Sequence, residues 1–169
     1  MRKRVVIPLV LAMLALPPVV TGGHVTPARA ETLAATGHYT AVAAWLFDLY
    51  LNRSIQLTVA NAGQTHPRVF EVLTPQMPAM ARVLSRHRTP FVEAMQQPLR
   101  GQFSETEIAA LAARVARNPI ELDDASRSKL IAVDQDFRRD HQTVIRAITH
   151  DLGLLVSEAL AAVPANKQN

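Results

Sequence analysis

The sequence predicts an all-α fold: a small helical bundle or irregular helical array of four to six helices, preceded by a signal peptide. Three observations carry that prediction. Apolar residues recur at three- and four-residue steps from Tyr39 to Leu155. No run alternates β-branched and aromatic residues as a half-buried strand requires. Prolines, glycines and a capping box fall between the periodic runs, where helices start and stop.

The chain has 169 residues, enough for about one domain. Residues 1–30 read as a secretory leader rather than as part of the fold. Arg2, Lys3 and Arg4 form a positive start, Val5 to Val20 is apolar and uncharged, and Ala28-Arg29-Ala30 is a cleavage signal. Pro8, Pro17 and Pro18 oppose a straight spanning helix, and the apolar run falls short of the ~20 residues a span needs. Cleavage is expected after Ala30, and the alternative is an uncleaved N-terminal anchor. The domain expected is therefore residues 31–163, followed by a flexible tail at 164–169.

The leader also explains the high pI. Arg2, Lys3, Arg4 and Arg29 belong to it, and without them the 18 Lys and Arg of the chain fall to equal the 14 acids. A basic-patch reading for nucleic acid or anionic membrane loses its support. The absence of Cys excludes disulfides, thiolate nucleophiles, cysteine metal sites and lipid attachment at Cys. The mature chain is expected in a bacterial periplasm or secreted, free of the membrane after cleavage.

Helix signals follow in order. The first helix is expected from Tyr39 to about Ala62, with Val42, Leu46 and Leu49 in one row, Thr40 as cap and Gly63 as stop. Arg68 to Leu73 reads as a short helical turn. Ala79 to Gln97 carries Met80, Val83, Leu84, Phe91, Val92 and Met95, with Pro90 expected to kink or split it. Pro98, Arg100 and Gly101 read as a connector.

The stretch Phe103 to Asp140 is expected to organise the chain. Ser104-x-x-Glu107 is a capping box, and Phe103 with Ile108 is a hydrophobic staple. Ile108, Leu111, Ala112 and Val115 form the buried row. Asn118-Pro119 ends that helix, because a residue before Pro resists the α region. A second start lies at Ile120 to Asp124. One long arm then runs on through Leu130, Val133, Phe137, Val144, Ile148, Leu152 and Leu155. Asp123 with Arg127 and Asp134 with Arg138 are spaced as i,i+4 ion pairs. Gly153 predicts a bend or close helix packing, and Pro164 the end of the last helix.

Phe103 to Leu111, with Asn118-Pro119 after it, resembles an uncharacterised bacterial family of exported helical domains, domain of unknown function 2059. The resemblance runs over about Arg82 to Gln142, and Lys129-Leu130 matches the family's Lys-Leu pair. Val115-Ala116 stands where the family has an aromatic pair, and its Gly after Pro119 is missing. The resemblance implies an exported helical domain with no known catalytic residues.

Candidate chemistry is sparse. His87 lies on the row of Met80, Leu84 and Phe91, and His141 on the row of Phe137, Val144 and Ile148. His141 and His150 would project about 180° apart on one straight helix. Asp134, Asp136, Asp140 and His141 form the densest group of potential ligands. His141 with Asp136 or Asp140 could hold a divalent cation or supply a base, although the interleaved Arg138 and Arg139 equally describe a solvated, salt-bridged face. Trp45, Phe47, Tyr50, Met80 and Met95 could line a ligand or partner surface, and the same spacing describes ordinary core. Nucleophile-elbow, phosphate-loop and dinucleotide motifs are absent, and no cofactor is implied. The leading expectation is a domain that acts by binding an envelope protein, a peptide or an apolar small molecule. The alternative is a metal-binding protein or metal-dependent enzyme.

Overall fold

The computed structural model describes residues 37–65, 67–117 and 120–161. Residues 1–30, read above as a leader, Asn118 and Pro119, read as a turn, and residues 164–169, read as a tail, lie outside the described residues. Within them the fold is all helix, with no strand. The helices are α1 (His38–Thr65), α2 (Pro67–Leu73), α3 (Met77–Leu84), α4 (Arg88–Gln102), α5 (Glu105–Val115), α6 (Asp124–Asp140) and α7 (Gln142–Ala161). Single 3-10 turns at Thr74–Gln76 and Ser85–His87 join α2 to α3 and α3 to α4. The junction residues Leu73, Gln76, Leu84 and His87 all stay in the right-handed helical region, so α2 to α4 make one broken arm. Counted that way the described chain forms five helical rods.

The organising element is α1 and not the Phe103–Asp140 hairpin. It packs against α2, α3, α4 and α5. Val42, Ala43, Trp45, Phe47, Tyr50, Leu51, Ile55 and Val59 are buried on several sides of it. A helix that is apolar nearly all round belongs inside a fold. At 28 residues it is about 42 Å long, which lets one rod serve four neighbours. α4 bridges α1 and α6, while α7 lies across α2, α3 and the turn before α4.

Several boundaries differ from the sequence reading, each for a local reason. Gly63 does not stop α1, which runs on to Thr65. A Cβ there would meet the Cβ of Phe70 at 2.8 Å, so glycine lets α2 fold back closely. Thr40 is not the cap: the amide of Ala41 donates to the carbonyl of Gly37, which holds φ +80°. The run over Ala79 to Gln97 is split rather than kinked, at the 3-10 turn Ser85–His87, and Pro90 falls in the first turn of α4, where amides have no helical acceptor anyway. Pro98 is not in a connector but inside α4, where its buried ring replaces one donor near the helix end.

The capping box forms as read. Ser104 accepts from the amide of Glu107, and the Glu107 carboxylate accepts from the Ser104 amide at 3.0 Å. Phe103 and Ile108 are both buried. The Phe103 carbonyl accepts from the Tyr39 hydroxyl at 2.8 Å, which ties the start of α5 to the start of α1. Lys129 of α6 donates to Glu107 at 2.6 Å, closing the α5–α6 hairpin. Asp134 and Arg138 pair at 2.9 Å as their spacing implies. Asp123 does not pair with Arg127. It caps α6 through the amide of Ser126 and binds Arg114 across the turn, which leaves Arg127 to Asp124.

The long arm after the hairpin is two helices. His141, at φ −124° and ψ 37°, leaves the helical region and caps α6, with its amide donating to the Phe137 carbonyl. α7 then starts at Gln142 in a new direction. Gly153 lies exposed within α7, and nothing stands within 4 Å of where its Cβ would be, so no close packing explains it.

Candidate functional site

Two of the polar groups that the fold brings together lie beside α7. On one flank stands Asp151. Arg86, in the turn before α4, donates from Nη2 to its Oδ2 at 2.6 Å, and His87 from Nε2 to the same oxygen at 2.5 Å. His150 Nδ1 lies 3.5 Å from the other oxygen. The Arg86 guanidinium first, and then His87, hold the Asp151 carboxyl down at about 2. The carboxylate therefore only accepts, so the Nε2 of His87 carries its proton. This cluster joins the α3–α4 turn to the middle of α7 across more than sixty residues of sequence. It is a fastening in which a half-buried imidazole is locked by an acid.

On the other flank a second group lies deeper. Tyr50 and Ser54 sit one turn apart on α1, and both are buried, Ser54 being only 2% exposed. Burial pushes the Tyr50 hydroxyl's pKa up, while the neighbouring Thr149 and Ser54 hydroxyls and the Arg138 guanidinium pull it back. Those hydroxyls are close, yet neither completes a well-formed hydrogen bond with Tyr50. The Thr149 hydroxyl donates to the Ile145 carbonyl at 2.9 Å. From α6, Arg138 donates through Nε to Asp134, and burial raises the Asp134 carboxyl despite that partner. Tyr50 Oη, Ser54 Oγ, Arg53 Nε and Arg138 Nη2 are buried without a hydrogen-bond partner among the described residues.

The residues read from sequence as candidates are placed as follows. Trp45, Phe47, Tyr50, Met80 and Met95 are core residues and not a surface. Phe91 meets Phe47 at 5.3 Å, Tyr50 at 5.5 Å and Phe137 at 4.7 Å between ring centroids, so these rings join α1, α4 and α6. The physical reason is that α1 is enclosed: its aromatic row meets α4 before it can meet solvent. His141 stacks on Phe137 at 5.4 Å as the cap of α6. Asp136 and Asp140 both pair with Arg139, at 2.9 and 2.8 Å, and Asp136 also accepts from Gln102. Arg139 lowers the Asp140 carboxyl. Among the described residues no three His, Asp or Glu side chains come together in a way that could hold a metal ion.

Sequence reasoning singled out His87 but gave it no partner, paired Arg138 with Asp134 alone, and passed over Arg86, Asp151 and Ser54. One signal was available for Ser54. It interrupts the buried row of Leu51 and Ile55, a position where a hydroxyl must find a partner. No family profile, no curated protein and no solved structure matches this chain. The likeness of Phe103 to Leu111 to the exported helical family thus stands on those residues alone.

Proposed function

We propose that this chain is an exported helical domain of the bacterial periplasm that acts by binding, and that it docks an apolar segment of another envelope protein. The observation behind it is where large apolar side chains remain in contact with solvent. Among the described residues these are Phe70, Val83, Ile131 and Leu154. Three of the four belong to α2, α3 and α7, and α7 packs on both α2 and α3. Leu154, half exposed, stands on the outer side of α7, opposite the buried Leu152. An apolar helical layer offers the side-chain spacing that an amphipathic partner helix reads. The leader-like residues 1–30 support export, and no described helix is long and apolar enough to cross a membrane.

Two measurements test the proposal. The mass of the chain recovered from a periplasmic extract is expected to lack residues 1–30. A photo-crosslinking residue placed at Leu154, Phe70 or Val83 in cells is expected to trap one discrete envelope protein, while the same group at exposed Gln135 of α6 traps none. Identical adducts from all four positions, or none from any, would overturn the docking reading. An intact cytoplasmic chain would overturn the export reading.

A further inference from the structure

We propose that α7 is a hinged cover, released as one unit from α2 and α3 by a swing at His141 and held shut by Asp151. The body of the fold closes without it. α1 packs against α4 and α5, and α4 against α6, around the rings of Phe47, Tyr50, Phe91 and Phe137. None of those rings belongs to α7. One chain connection joins α7 to the other described helices, and it runs through His141, whose φ of −124° and ψ of 37° break the helix. Rotation at such an end residue reorients a whole rod while its internal hydrogen bonds stay intact.

The contacts that α7 makes are few and partly imperfect. Of its 20 residues only Ile148, Leu152 and Ala159 are buried, and the other apolar residues on its inner side are half-buried. Beside α1, the Thr149 hydroxyl donates to Ile145 within α7, and the buried Tyr50 hydroxyl next to it has no partner. Closure thus leaves a polar atom unpaired, and release lets water reach it. Against this stand the bonds at Asp151, one oxygen of which accepts from Arg86 at 2.6 Å and from His87 at 2.5 Å. Both partners sit in the turn between α3 and α4, so the clasp joins the middle of α7 to the rest of the fold through charge-assisted bonds. A segment with few buried apolar contacts opens at lower free energy than the core. Opening uncovers Ile148 and Leu152 and the sides of α2 and α3 that α7 covers, an apolar surface distinct from the exposed face of Leu154.

Native-state hydrogen exchange of the chain as recovered after expression tests the cover. The surface of α2 and α3 beneath α7 and the inner amides of α7 are expected to gain exchange through one shared opening, with a denaturant dependence well below that of global unfolding. Buried amides of α1 and α4 are expected to exchange by global unfolding alone. Asp151→Asn removes the charge of the clasp and should speed exchange across α7 about tenfold, with α1 and α4 unchanged. Arg86→Ala, at an exposed side chain, should act in the same direction from the other side of the clasp. Phe47→Leu, which loosens the ring cluster, should speed α1 and α4 and leave α7 unchanged. Two results overturn the proposal. One is exchange of α7 with the free energy and denaturant dependence of global unfolding. The other is Asp151→Asn and Arg86→Ala leaving α7 unchanged, or speeding α1 and α4 as much as α7.

Discussion

Two glycines in helices, Gly63 and Gly153, should answer the same substitution in opposite ways. Replacing Gly by Ala inside a helix gains about 1 kcal/mol from propensity alone. At Gly153 nothing stands within 4 Å of the added Cβ, so Gly153→Ala should keep that gain. At Gly63 the added Cβ meets Phe70 Cβ at 2.8 Å, Cδ2 at 3.1 Å and Cγ at 3.3 Å. The nearest atom is fixed to the backbone, so rotation of the ring cannot relieve it. Relief needs α2 to move off α1, and overpacking of that kind costs roughly 1–3 kcal/mol. Gly63→Ala should therefore lose up to about 2 kcal/mol net, once the propensity gain is subtracted. The difference between the two variants isolates the steric cost. Urea unfolding with an unchanged m value measures it. A Phe70→Gly background should abolish the difference, whereas Phe70→Ala, which keeps the Cβ, should retain part of it. Equal stabilisation by both substitutions would refute the close approach of α2 to α1.

Three further outcomes are expected. Phe137→Ala removes the ring that touches Phe91 and His141 and should cost about 3–5 kcal/mol in equilibrium unfolding. Ser104→Ala breaks the capping box and should cost about 1 kcal/mol, with far-UV helix content nearly unchanged. The folded carboxyls of Glu107, Asp123 and Asp151 lie at about 2, held down chiefly by Lys129, Arg114 and Arg86 respectively. Folded values below the unfolded ones mean a contribution fully present above about pH 4 and lost as pH falls toward 2. Acid titration of stability should show that fall, and Asp151→Asn should make it shallower.

The sequence was informative where one helix decides the outcome. The Ser104 cap, the Asp134–Arg138 pair and the buried row Ile108, Leu111, Ala112 and Val115 depend on residues no more than a few positions apart, and all three formed. Hierarchy was harder to read. Ser104 and Pro119 made the hairpin conspicuous, yet conspicuous local signals mark ends of helices rather than the centre of a fold. α1 shows little amphipathic contrast because it is buried on many sides, and its rows looked unfinished for the same reason. Trp45, Phe47 and Tyr50 therefore read as a surface to be covered, and α4 and its neighbours cover them.

The same distinction explains the candidate sites. Asp136, Asp140 and His141 looked like a ligand set because they are close in sequence, but Arg139 lies within reach of both acids and engages each of them. Asp151 drew no attention beside Leu152, although its partners His87 and Arg86 make it the most strongly held acid on α7. Those partners lie on the other side of α4, α5 and α6 in the chain, and no periodicity reports such a pairing. Tyr50, Ser54 and Arg138 are each ordinary on their own helix. A hydroxyl in a long helix normally meets water or a carbonyl one turn back, and an arginine beside an aspartate normally ends in solvent. Their polar atoms lose water only where the helices come together. The demand for a partner is thus created by tertiary packing, and the chemistry of that partner is set by which atoms are left over.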